Sequence, residues 1–171
     1  MQDLDDSECG DGCESRELFS GQIPTRIVIG LVRNDAFNGS TTRNPFNFQN
    51  FRLKEISVYS DEQQQHGIKP LTIDFDHSLY VRGFNTLFSG TGKVFRDEGN
   101  ALDRKNFSGG YALYAFDLTS DLGEDDHSSL AKQGSVRLVL KFAQALADPV
   151  TVIAYAEFQN VIEIVIYDFA V

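Results

Sequence analysis

Tryptophan is absent from these 171 residues, and cysteine occurs only twice, at Cys9 and Cys13. That C-x3-C pair, with no histidine nearby, cannot supply the four ligands of a tetrahedral zinc site. It can close only a small local disulfide or stand as two thiols. No stretch of about 18 consecutive apolar residues exists, which excludes a hydrophobic membrane-spanning helix. Basic residues number 15 and are scattered singly, as at Arg26, Arg33, Arg43, Arg52 and Lys54. Phosphate recognition needs clustered Lys and Arg, so direct nucleic-acid binding is not expected. No repeat of fixed period appears, which argues against solenoids and propellers.

What the chain does have is phenylalanine, 14 of them, with 6 tyrosines. These residues suit a pleated, half-buried surface and favour β structure. Apolar residues make up 42%, enough for one domain with a hydrophobic core. The net charge of −10 is concentrated at the start. Asp3, Asp5, Asp6, Glu8, Asp11, Glu14 and Glu17 face a single cation, Arg16, within residues 1–17. That segment reads as an acidic flexible arm, and residues 18–171 as a single β-sandwich domain. An acidic, polar opening is also the reverse of a secretory signal.

Strand patterns recur along the domain. Residues 25–33 place Ile27, Ile29 and Leu31 on one face and Val28 and Val32 on the other, so both faces need cover, from this chain or from a subunit contact. In 51–60 the parity switches between Leu53 and Ile56, which a β-bulge near Lys54 and Glu55 would reconcile. Residues 68–75 form a short strand broken early by Pro70, and 111–118 another. Residues 135–142 put Val136, Leu138, Leu140 and Phe142 on one face, and 151–158 and 161–167 complete the set, joined by Gln159-Asn160. One short helix is expected over 79–91, from Tyr80, Phe84, Leu87 and Phe88 at helical spacing, with Ser78 as N-cap and Gly90 or Gly92 as the stop. The fold class is therefore all-β: an antiparallel two-sheet jelly-roll sandwich with one short helix.

Catalytic and binding patterns mostly fail. Ser89-Gly90-Thr91-Gly92-Lys93 lacks the earlier Gly and the following Ser or Thr of a phosphate loop. Ser129-Leu130-Ala131-Lys132 matches S-x-x-K without its companion motifs. Asp74, Asp76 and His77, and likewise Asp125, Asp126 and His127, could offer metal oxygens or a base, but both sets fall where loops belong. The acidic opening residues lack the Gly that an EF-hand loop requires at its sixth position. Asn38-Gly39-Ser40 and Asn106-Phe107-Ser108 are glycosylation sequons. No catalytic, cofactor-binding or metal residue is assigned, no cofactor is expected, and the chain is not expected to be an enzyme.

The run R-I-V-I-G-L-V-R-N-D-A-F-N-G at 26–39, N-P-F-N-F at 44–48 and G-Y-A-L-Y-A-F-D-L-T at 110–119 resembles a known family. So do K-P-L at 69–71, T-G-K at 91–93, D-E-G-N at 97–100, K-Q-G-S-V-R-L at 132–138 and Y-A-E-F-Q-N-V-I-E-I at 155–164. The resemblance is to the C-terminal jelly-roll region of the capsid-type proteins of Polinton/Maverick elements and their adintovirus relatives. It implies a double jelly-roll major capsid subunit, which forms trimeric capsomers and carries no catalytic residues. This chain has length for only one roll, and its acidic arm stands where the first roll would be. The resulting expectation is a self-assembling structural protein of viral or transposon origin. It would form a homo-oligomer, a trimer or larger, in a virion or an intracellular assembly. The alternative is a calcium- or glycan-binding β-sandwich, lectin-like or receptor-binding, using the loops at 74–77 and 121–127.

Overall fold

The structure is a computed structural model that describes residues 13–60, 63–64, 69–94, 99–119 and 132–158. Along it run β1 (Cys13–Gln22), β2 (Arg26–Arg33), α1 (Asn34–Phe37), β3 (Leu53–Ser60), β4 (Gln63–Gln64) and β5 (Leu71–Thr72). Then follow α2 (Val81–Ser89), α3 (Arg104–Gly110), β6 (Leu113–Asp117), β7 (Gln133–Phe142) and β8 (Val150–Glu157). The strands form two antiparallel sheets. One has the order β1-β7-β3-β4, with β5 also paired to β3, and the other has the order β6-β2-β8. The chain changes sheet at each step from β1 to β2 to β3, and again from β6 to β7 to β8. The mostly-strand, two-sheet sandwich expected from the sequence is the observed architecture.

Alternation explains the core. Val136, Leu138, Leu140 and Phe142 of β7 are all buried, and Ile27, Ile29 and Leu31 of β2 are completely so. They join Ile56 and Val58 of β3 and Tyr114 and Phe116 of β6 in one cluster. The β3 bulge falls where the parity switch requires it: the register against β7 slips between Leu53 and Glu55. A second register slip in β1, between Glu17 and Phe19, lets Phe19 lie opposite Val136.

Four sequence expectations need correction. The arm does not extend to residue 17: Cys13 through Glu17 belong to β1 and pair with β7 from Lys141 to Arg137. Of the two states the sequence left open for Cys13, the disulfide is the one present. The helix at 79–91 is present as α2, but α1 and α3 accompany it. Ser78 does not cap α2; it sits in a turn at φ +59, and Tyr80 holds the cap position without a side-chain capping hydrogen bond. The strand at 68–75 shrinks to β5: Ile73 N–H still donates to the Lys54 carbonyl in register, but Asp74 then exchanges backbone hydrogen bonds with Leu79 in a turn. The strand expected at 161–167 lies outside the described residues, as do residues 1–12.

α2 and α3 close one side of the sandwich. The Asp103 side chain accepts from the Asn106 N–H at 2.6 Å and caps α3. α3 delivers Phe107 into the centre of a ring cluster, 5.7–6.2 Å from Phe75, Tyr80, Phe84 and Tyr114. α2 lies against β6 so closely that a Cβ on Gly90 would stand 2.5 Å from the Ala115 carbonyl oxygen. Only glycine permits that approach. The β6 edge of the three-stranded sheet is thus covered by a helix, one of the ordinary protections of a sheet edge.

Candidate functional site

In the three-stranded sheet, residues directly opposite across strands share a face. Ile27, Ile29 and Leu31 face inward with Ala156, Ala154 and Val152 of β8. The outer face holds Val28 opposite Tyr155, Gly30 opposite Ile153, and Val32 opposite Thr151. On the β6 side it continues through Ala115 and Leu113, opposite Val28 and Gly30.

Part of this outer face is covered from within the chain. The Phe48 N–H donates to the Gly110 carbonyl at 2.7 Å, and the Phe48 carbonyl accepts from Ala112 at 2.9 Å. Gln49 N–H donates to the Leu31 carbonyl at 3.0 Å. So strapped, the Phe48 ring lies over Gly30, where a Cβ would meet it at 2.5 Å and Leu113 at 2.8 Å. The double-sided apolar pattern of β2 is therefore resolved at Gly30 by the chain's own Phe48. At the other end, Asn34 Nδ2 donates to Thr151 Oγ1 at 3.0 Å and anchors α1.

The β8 side of the face has no such cover among the described residues. Tyr155 is 60% exposed. Of the eight residues of β8, six are apolar and not one is fully buried. Its sole charge, Glu157, is engaged by Arg26 at 3.0 Å. Phe46 (71% exposed) and Tyr111 (48%) flank the Phe48 strap, the first in sequence and the second by pairing with Phe48. β1, at the edge of the other sheet, is built differently. Its Glu14 and Arg16 stand opposite the inward-facing Leu140 and Leu138, and inward charges discourage edge pairing.

The loop candidates resolve into local structure. Asp74 accepts the His77 backbone N–H at 3.0 Å and bonds His77 Nδ1 at 2.7 Å, closing a turn bridged by Asp74 and Leu79. The hydrogen bond to the Asp74 carboxylate, then its charge, raises the His77 pKa above 6.5. The His77 backbone and side-chain hydrogen bonds lower that of Asp74. Asp76 turns away to Arg52 at 3.3 Å. Among the described residues no three His, Cys, Asp or Glu side chains are grouped to hold a metal.

Ser89 to Lys93 form a helix C-terminus. Carbonyls point into it, with Leu87 O accepting from Asn100 Nδ2 and Thr91 Oγ1, and Phe88 O from the Lys93 N–H. A helix C-terminus repels phosphate. Of the S-x-x-K run only Lys132 is described, its carbonyl accepting from Ile23 N–H at 2.8 Å. Asp125, Asp126 and His127 lie outside the described residues. Asn38 and Asn106, the sequon asparagines, are both exposed. Sequence reasoning missed the Phe48 strap, although the N-P-F-N-F run that carries it was noticed. It also missed the ring cluster around Phe107, which had no periodic pattern to announce it.

No protein-family model matches the chain, and no solved structure does. The chain is similar to an uncharacterized protein of Caenorhabditis elegans, 27% identical over 147 residues that cover 84% of this chain. Those residues span about a third (35%) of that protein's length. No helix among the described residues is long and apolar enough to cross a membrane.

Proposed function

We propose that this chain is a structural, self-assembling β-sandwich, capsid-subunit-like and of viral or transposon origin. It associates with copies of itself through the outer face of the three-stranded sheet on its β8 side. The observation that carries this reading is the exposed ring of Tyr155 beside the half-buried Ile153 and Val28, on a strand whose one charge is already paired. Contiguous apolar surface rimmed by polar residues marks association sites. An assembly protein also gains specificity by protecting the surfaces it does not use. Here α2 covers the β6 edge, and inward charges guard β1. The resemblance of residues 26–39 and 110–119 to Polinton/Maverick capsid-type proteins supports the same class, in which the side chains act by contact and not by catalysis.

Size-exclusion chromatography with light scattering, over a range of protein and salt concentrations, tests the proposal. Trimers or larger species are expected, and Tyr155→Asp should shift them toward monomer. Electron microscopy of the same fractions should reveal regular particles or filaments. A chain that stays monomeric up to its solubility limit overturns the reading. Thermal stabilisation of such a monomer by calcium or a glycan would favour the binding-module alternative.

A further inference from the structure

We infer that the groove between α2, β5 and β6 binds a small hydroxylated anion of the sugar-phosphate class. Lys69 and Arg82 hold the anionic group, and Thr86, Ser89 and Asp117 accept from the hydroxyls. This goes beyond the self-association proposed above and does not depend on it. The groove has a volume of about 410 Å³, within the range of small-ligand sites. Leu71, Ala115 and Phe116 supply its apolar wall. Arg82, Asn85, Thr86 and Ser89 line it from α2, and their i, i+3, i+4, i+7 spacing puts them on one helix face. Lys69 reaches it from just before β5, and Asp117 from the last position of β6.

Charge selects the ligand. Arg26, Arg33, Arg43 and Arg52 are each held by a carboxylate at 2.8–3.3 Å. Neither Lys69 nor Arg82 has an ion pair among the described residues, and the fold brings both to one groove. Arg82 lies in the first turn of α2, the end whose dipole favours an anion, and Ser89 in the last turn, where carbonyls disfavour one. About 10 Å of helix separates the two, room for a phosphate with a hexose ring beside it. Thr86 Oγ1 donates to the Gly83 carbonyl at 2.7 Å, and Ser89 Oγ to the Asn85 carbonyl at 3.2 Å. With their protons so committed, both oxygens can only accept from a ligand. Asp117 Oδ1 accepts from the N–H and the hydroxyl of Thr119, at 2.9 and 2.6 Å, which leaves Oδ2 for a further donor. Two cations for one charged group, and acceptors for several donors, match a phosphate carried on a hydroxylated body.

NMR titration of the full chain at constant ionic strength tests this, with glucose 6-phosphate, inorganic phosphate and glucose as the probes. Glucose 6-phosphate should give saturable amide shifts at residues 69–72, 82–90 and 115–117, and glucose alone should give none. The sugar phosphate should bind about tenfold more tightly than inorganic phosphate, and Arg82→Gln and Lys69→Gln should each weaken it about tenfold or more. Both side chains are exposed, so neither substitution disturbs the fold. Lys54→Gln, at an exposed lysine of β3 outside the groove, should leave the affinity unchanged. The inference is overturned by shifts that are absent, do not saturate or fall on other residues. Equal weakening in all three variants, or inorganic phosphate binding as tightly as the sugar phosphate, overturns it as well.

Discussion

Replacing Phe107 with alanine removes the centre of the ring cluster that holds α3 and α2 against the sandwich. Phe107 is 0% exposed and touches four other aromatic rings. Truncating a buried phenylalanine costs about 3–5 kcal/mol. The edge-on and stacked ring contacts, about 0.5–1.5 kcal/mol per pair, fall inside that figure and do not add to it. Set against a total stability of about 5–15 kcal/mol, this is a large fraction. At about 2–4 °C per kcal/mol for a domain of this size, Tm should fall by about 6–20 °C. Urea unfolding followed by far-UV circular dichroism is the assay, since there is no tryptophan to report fluorescence. Phe107→Leu, which restores most of the volume, should recover much of the loss. The F107A chain should also exchange the α2 amides faster, because the helix loses its anchor while the sheets persist. An F107A cost below about 1 kcal/mol with an unchanged urea slope would refute this account of the helical side.

Three smaller perturbations follow from single contacts. Gly30→Ala pushes a methyl into the Phe48 ring and should cost about 1–3 kcal/mol, read as a lower urea midpoint; an unchanged midpoint would mean that the strap is loose. The Tyr114 hydroxyl is buried with no hydrogen-bond partner among the described residues, and burial raises its pKa. Tyr114→Phe should therefore be neutral or stabilise by about 1 kcal/mol, and a clear loss of stability in thermal melts would show that the hydroxyl has a partner. His77 should titrate above 6.5 by NMR, and Asp74→Asn should bring its midpoint back down. Because the folded value is the higher one, this contact contributes fully below pH 6.5 and is lost as pH rises through the folded midpoint. His77 is 78% exposed, so salt should weaken the effect.

Legibility in the sequence followed the strength of side-chain alternation. β7 was readable because Val136, Leu138, Leu140 and Phe142 all turn inward, and the β3 bulge because it breaks an otherwise regular pattern. β1 was not, since two of its inward positions hold Glu14 and Arg16, where a strand signal wants apolar residues. α3 escaped for a related reason: it is held by one ring, Phe107, and an Asp103 cap, too little for a periodic stripe. Ser78 has the chemistry of an N-cap, but the Asp74–His77 turn claims the backbone there and moves the helix start past Tyr80. The uncovered side of β8 was invisible in principle, because its composition matches that of a buried strand. Only the order of the described strands places it at an edge.

The pairing of β1 with β7 also bears on how the protein is made. Gln22 pairs with Gln133 and Cys13 with Lys141, separations of roughly 110 residues or more. During synthesis at about 5–20 residues per second, β1 waits about 5–20 s for its partner to be translated. Contacts that distant in sequence form slowly in any case. Glu14 and Arg16 keep the waiting strand hydrated, and once β7 arrives they lie at the rim and not in the core. A nascent chain with leucine at both positions would tend to aggregate on the ribosome before its sheet could close.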